Sequence, residues 1–260
     1  MVFSSKKFAL LAVVLLASCL GCTPRENHKQ AENIVADNAS ASSAASKLPE
    51  DIDGVWVSKK YLLSLKANKT PFAANPESFE INREEERFTW TNFHESYWRE
   101  IYSSGVENDH YFMVVSQPED PDTSAGYVAF AIEEGELNFI EGEIAEQIDE
   151  PFIKIPSSLP QYANTLLLAG KYKDAKGNHY EFSEEGTATW PNLRFSYELV
   201  LDSSEAGCPY VSTDLKDADG NPKRFGYTWQ ADSLLIYEIV EGGDFPISCA
   251  SKPYLQLTKE

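Results

Sequence analysis

The sequence predicts an all-β chain: two tandem antiparallel meander units of about eight strands each, barrel-like in form and preceded by a disordered tether. Three observations carry this expectation. Phe195, Tyr197, Leu199 and Leu201 alternate with Ser196, Glu198 and Val200, the period-two pattern of a strand with one face buried. Short runs of this kind are punctuated by Asp174-Ala-Lys-Gly177, Glu184-Glu-Gly186 and Asp219-Gly220, where glycine supplies the positive φ that hairpin turns need. Residue patterns also recur: Trp90-Thr-Asn92 with Tyr97 answers Trp190-Pro-Asn192 with Tyr197, and Gly126-Tyr127 and Glu141-Gly142 answer Gly226-Tyr227 and Glu241-Gly242, all 100 residues apart.

From the N-terminus, residues 1–18 read as an export signal. Lys6 and Lys7 precede an apolar run from Phe8 to Ala17 that is too short to span a bilayer permanently. Leu16-Ala17-Ser18-Cys19 resembles the bacterial lipobox, which implies cleavage before Cys19 and acylation of that cysteine, with Cys22 as the alternative acceptor. Multiple acyl chains on one residue give stable anchoring, because each buried methylene adds about 0.8 kcal/mol. Neither cysteine is followed by Asp, so the expected placement is the bacterial outer membrane, periplasmic or surface-facing. Residues 19–51 form the anchor and a flexible tether, since Asn38-Ala-Ser-Ala-Ser-Ser-Ala-Ala-Ser46 holds no large apolar side chain to offset its ordering entropy.

The first β unit is expected over 52–157, a linker over 158–169 and the second unit over 170–260. Each unit opens with a Gly-x-aromatic step, Gly54-Val-Trp56 and Gly170-Lys-Tyr172, and closes with matching runs, Pro151 to Ile155 and Pro253 to Leu257. The first unit carries an insertion, Ser58 to Asn75, whose stretch from Tyr61 to Ala67 predicts a helix ending before Thr70-Pro71. In the second unit, eight strand runs fall near 170–172, 179–182, 187–190, 195–201, 210–213, 225–230, 234–240 and 253–257. A meander of eight short strands curls into a barrel because closure removes the unpaired edges. Gly54-Val-Trp56 at a first strand resembles the opening of lipocalins and related calycin barrels, which implies that architecture and a role in holding a small ligand.

Net charge narrows the partners. With 41 Asp and Glu against 22 Lys and Arg, the chain carries −19, which disfavours nucleic acid and anionic surfaces and favours basic proteins. Cys208 and Cys249 are the cysteines left beyond the lipobox region, and in an exported protein they are expected to pair. The four histidines His28, His94, His110 and His179 have no metal-ligand spacing, so no metal and no cofactor is expected. Gly-x-Ser-x-Gly, phosphate-loop and dinucleotide motifs are missing from the sequence. Asp214, Asp217 and Asp219 fail the spacing of a calcium loop and read as a solvated hairpin turn.

Aligning the units 100 residues apart sets Glu95 against Phe195, Tyr97 against Tyr197 and Arg99 against Leu199. On that register Glu95, Tyr97 and Arg99 line the first barrel as a ligand-binding set, or Glu95 and Arg99 pair with each other or face solvent. His94 and Glu95 point to opposite faces of a strand and do not form a catalytic pair. The function expected is therefore lipid-anchored binding or scaffolding rather than catalysis, with a small ligand held in the first unit. The alternatives are an inhibitor or partner of a basic protein such as lysozyme, and a hydrolase of the cell envelope.

Overall fold

Where the Gly-x-aromatic steps stand, two strands begin. The structure, a computed structural model, describes residues 48–92, 96–107, 110–116, 126–142, 150–202, 206–241 and 247–260. The export signal, Cys19, Cys22, the tether to residue 47 and Phe93-His94-Glu95 lie outside the described residues. The first unit contains β1 (Gly54–Ser58), β2 (Ser78–Asn82), β3 (Arg87–Thr91), β4 (Ser96–Glu107), β5 (His110–Ser116), β6 (Gly126–Glu133), β7 (Glu136–Glu141) and β8 (Phe152–Ile155). The second contains β9 (Gly170–Lys173), β10 (His179–Phe182), β11 (Thr187–Trp190), β12 (Leu193–Leu199), β13 (Tyr210–Lys216), β14 (Pro222–Gln230), β15 (Ser233–Glu241), β16 (Ile247–Cys249) and β17 (Leu255–Lys259).

Both units close. β1 through β8 pair in sequence order, and β8 returns to β1. β9 through β15 pair likewise, β17 seals the gap between β15 and β9, and β16 hangs on the far end of β15. The openings share one local design. Gly54 and Gly170 have φ of +122° and +150°, conformations that a side chain resists, and a Cβ on either would sit 3.0 Å from the Cε of Lys154 or Lys259 on the closing strand. Two residues on, Trp56 donates its indole N–H to the Ile52 carbonyl at 2.9 Å, and Tyr172 donates its hydroxyl to the Leu168 carbonyl at 2.6 Å. Each aromatic ring thereby ties the first strand to the short helical segment before it.

Strand order repeats, but residue register drifts. From the opening glycine, directly paired residues run Gly54, Ile81, Phe88, Arg99 in the first barrel and Gly170, Phe182, Ala188, Phe195 in the second. Trp90 and Trp190 therefore match on the third strands. The spacing of 100 fails beyond them. Trp90 pairs with Tyr97 where Trp190 pairs with Leu193, so the first barrel's hairpin is four residues longer, Arg99 matches Phe195 rather than Leu199, and Tyr97 does not match Tyr197. The hairpins Glu133 to Glu136 and Gln230 to Ser233 set Phe130, not Tyr127, against Tyr227. Tyr127 is accordingly 37% exposed and Tyr227 only 1%. At closure Lys154 matches Lys259, each opposite its unit's opening aromatic, which displaces the expected match of Ile155 with Leu257.

Helices join the barrels. α1 (Lys59–Asn68) starts at Ser58, whose hydroxyl accepts from the Tyr61 N–H, and stops at Lys69 in a left-handed conformation just before Thr70-Pro71. The expected linker contains a second helix, α2 (Leu159–Leu167). Val57, Tyr61, Leu62 and Leu65 from the first unit belong to the same apolar core as Leu159, Ala163 and Leu167 of α2 and the second barrel's interior residues Tyr172, Phe182, Tyr197 and Tyr227. The inserted helix thus packs its apolar face on the second barrel. A separate core fills the first barrel, and Leu48, upstream of the expected boundary at residue 52, is part of it together with Ile52. Ala45–Glu260 form one compact unit.

The Cys208–Cys249 disulfide is present, with Cα atoms 5.9 Å apart. Strict alternation of eight strands leaves these cysteines at opposite ends of the barrel. β16 resolves the conflict by folding back along β15, with Ile239 opposite Cys249. The bond rests on Gly226, where a Cβ would lie 2.1 Å from the Cys249 Sγ.

Candidate functional site

β1, β3, β5 and β7 all run toward one end of the first barrel, and chain segments 59–77, 92–95, 117–125 and 142–151 join the strands there. At the matching end of the second barrel, Asp174 to Asn178, Pro191-Asn192 and Asp217 to Asn221 are tight turns. The first and third of these have one design. Asp174 Oδ1 accepts the N–H groups of Lys176 and Asn178, and Asp217 Oδ1 those of Asp219 and Asn221. Of the three aspartates read as a solvated hairpin turn, Asp217 forms the turn and Asp219 lies within it, whereas Asp214 stands on β13 and accepts the Ser196 N–H.

Trp90, Tyr97 and Arg99 lie at the long-segment end of the first barrel. Direct pairing of Phe88 with Arg99 and of Trp90 with Tyr97 puts Tyr97 and Arg99 on the inward side of β4. Tyr97 is 44% exposed and therefore stands at the mouth, while Arg99 is partly buried. The Arg99 guanidinium lies over Gly126, 2.9 Å from where a Cβ would be. Glu95, the third member of the expected set, is outside the described residues.

Aromatic rings pack the interior behind this mouth. Phe79 lies 5.0 Å from Phe152, 5.1 Å from Phe139, 5.7 Å from Phe88 and 6.1 Å from Trp90 between ring centres. Inside the second barrel, the cavity bounded by Phe182, Trp190, Phe195, Phe225 and Tyr227 holds about 10 Å³. That is the size of a single water at most.

Two polar features lie elsewhere. A groove of about 430 Å³ runs between α2 and the second barrel and is lined by Gln161, Glu184, Glu185 and Glu198. Beneath it Tyr197 donates to Asn164 Oδ1 at 2.8 Å, and the Asn164 amide donates to the carbonyls of Ser183 and Glu184. Burial and the neighbouring Glu150 carboxylate push the Glu77 carboxyl above its usual range, against the pull of Lys60. Neither glutamate lines any of the described cavities. Among the described residues no group of three or more His, Cys, Asp or Glu is placed to hold a metal ion.

Sequence reasoning missed the outer surface. Phe112, Val114, Tyr127 and Ile140 stand on the outside of β5, β6 and β7, and the even spacing of Phe112 and Val114 between the inward-facing Tyr111, Met113 and Val115 is the signal that could have found them. Charge is also uneven: residues 51–157 hold 22 Asp and Glu against 8 Lys and Arg, while residues 158–260 hold 15 against 9. Comparison with protein-family models, curated proteins and solved structures finds no match to this chain.

Proposed function

We propose that this chain is an outer-membrane lipoprotein, anchored through Cys19 with Cys22 as the alternative acceptor, whose calycin-like barrels bind a basic protein by surface contact rather than enclosing a small molecule. The observation that carries this reading is the packed interior. Rings 5.0–6.1 Å apart occupy the first barrel, and the cavity inside the second is about 10 Å³, far below the roughly 300 Å³ at which small-molecule sites begin. The charge of −19, concentrated in the first unit, supports a basic partner through steering and complementarity. Gly54-Val-Trp56 and Gly170-Lys-Tyr172, each opening an eight-stranded meander, support the calycin-type reading.

Calorimetric titration of the full chain with lysozyme as the basic probe tests the binding arm. Association is expected at 20 mM salt and is expected to weaken steeply by 500 mM, with an acidic protein of similar size inert under both conditions. Lack of association with lysozyme at low salt would refute the surface-binding reading. Intact-mass analysis of membrane-extracted protein tests the anchor, and a chain beginning at an unmodified residue would refute that part.

A further inference from the structure

Resting on the reading above, we infer that the outer face of β5, β6 and β7 in the first barrel is the surface on which the basic partner docks, with Tyr127 and Ile140 as its apolar anchors. Alternation along β5 sends Tyr111, Met113 and Val115 inward and Phe112 and Val114 outward, so the strand is apolar on both faces. Val114 pairs with Tyr127 across the strands, and the Phe112 ring stacks on the Tyr127 ring at 6.0 Å with planes 21° apart. A register shift in β7 leaves Ile140 without a partner and 43% exposed, and Tyr127 is 37% exposed. The Phe112 ring also lies over Gly105 of β4, 2.9 Å from where a Cβ would be, so the ring packs against the sheet.

The second barrel supplies an internal comparison. Tracing the register gives Tyr210, Ser212, Arg224 and Gly226 as the counterparts of Phe112, Val114, Tyr127 and Ala129. There the face is polar or covered: Arg224 lies over the Tyr210 ring, and the disulfide joining Cys208 to Cys249 lies over Gly226. Among the described residues the first barrel has no counterpart of β16 and its disulfide, and Tyr127 and Ile140 are exposed there while Phe112 and Val114 are half-buried.

Charge selects the occupant. Glu100 on β4 and Glu141 on β7 flank the apolar centre, and Glu133 and Glu134 follow at the β6–β7 turn. A second copy of a chain carrying −19, or an anionic lipid surface, meets repulsion across this border. A basic protein that places an apolar side chain between Tyr127 and Ile140 and Lys or Arg opposite Glu100 and Glu141 meets both features.

The test titrates the full chain with lysozyme as the probe, comparing the unaltered chain, the double variant Tyr127→Ser with Ile140→Ser, and a control double variant, Leu193→Ser with Tyr254→Ser, at 39% and 58% exposed positions of the second barrel. The docking variant is expected to bind at least tenfold more weakly with an unchanged melting temperature, while the control binds within twofold of the unaltered chain. Glu100→Gln with Glu141→Gln is expected to flatten the salt dependence. Hydrogen exchange on the unaltered complex covers the case in which the docking variant folds poorly, with protection expected over 110–115 and 126–133. Binding by the docking variant within twofold, or protection confined to other segments, overturns the docking face and leaves surface binding standing. If the unaltered chain does not bind lysozyme, the functional reading fails and this inference falls with it.

Discussion

Replacing Leu65 by alanine probes how the two barrels depend on each other. Leu65 lies in the helix inserted between the first two strands of the first barrel, yet it is 0% exposed within the core that fills the second. Removing a fully buried leucine side chain forfeits about 2 kcal/mol of transfer free energy, and the cavity left in a junction walled by two helices and a barrel raises the cost to about 3 kcal/mol. At about 2–4 °C per kcal/mol for a unit of roughly 200 residues, the melting temperature should fall by about 6–12 °C. Circular dichroism measures that fall, and hydrogen exchange followed by mass spectrometry locates it. Peptides from β9, β14 and β15 are expected to lose protection, although the substitution lies more than 100 residues before them. Leu63→Ala on the same helix, at a position 59% exposed, should change stability by no more than about 0.5 kcal/mol. Loss of protection confined to β1 through β8 would refute the shared core. The same reasoning predicts that residues 170–260 expressed alone are poorly stable, because they lose the cover of Val57, Tyr61, Leu62 and Leu65.

Other outcomes follow from individual contacts. Tyr197→Phe should cost about 1–2 kcal/mol in chemical denaturation, since it leaves the buried Asn164 Oδ1 without its donor. Asn164→Ala should cost more, because the Glu184 carbonyl loses its side-chain donor, the Ser183 carbonyl loses one of its donors and the Tyr197 hydroxyl loses the Asn164 acceptor. Separating Cys208 from Cys249 by substituting both with serine opens a loop of 41 residues and should destabilise the chain by about 4 kcal/mol in the chain-entropy model. Burial holds the hydroxyls of Tyr61, Tyr172, Tyr197 and Tyr227 above the ordinary tyrosine range. Their folded-state values exceed the unfolded ones, so the associated stability is complete below about pH 10 and is lost as pH rises further. Absorbance at 295 nm should therefore show these four of the 13 tyrosines ionising only together with loss of the near-ultraviolet circular dichroism signal. Asp53 behaves oppositely: its side-chain hydrogen bond from Arg83 holds the carboxyl below its usual range despite partial burial, so that contribution is present above about pH 4 and fades in stronger acid. Arg83→Ala should lower stability at pH 7 and have less effect at pH 2.

The number and order of the second barrel's closing strands are legible in the sequence because its hairpins are tight, but β12, β13, β14 and β17 differ from the expected runs by two or three residues at their ends, and Leu201 lies beyond β12. β16 escaped notice because three residues, Ile247 to Cys249, form too short a run to show a period. Duplication was legible as architecture and illegible as register. Trp90 and Trp190 do match, but a strand keeps its fold when a hairpin gains four residues, as the one before Ser96 did, and a fixed spacing then carries every later comparison onto the wrong partner. The candidate site inherits that error: a spacing of 100 sets Glu95, Tyr97 and Arg99 against Phe195, Tyr197 and Leu199, whereas strand pairing matches Arg99 with Phe195. The destination of α1 could not be read locally either. Tyr61, Leu62 and Leu65 announce an apolar stripe, but nothing near them in sequence names the barrel that receives it.

The placement of that stripe has a consequence for the order in which the chain assembles. The first barrel has all its strands once Ile155 has been delivered, whereas the second cannot close until β17, ending at Lys259, has joined β9 to β15. Until then, Tyr61, Leu62 and Leu65 stand on the first barrel without the complete core they share in the folded chain, and a chain that folds from its N-terminus passes through that stage before its last strand arrives. Apolar side chains shown in this way are what holdase chaperones capture and what neighbouring copies aggregate through. Deleting the final strand, Leu255 to Lys259, would make the interval permanent, and is therefore expected both to leave the C-terminal barrel open and to expose the apolar stripe carried by the N-terminal one.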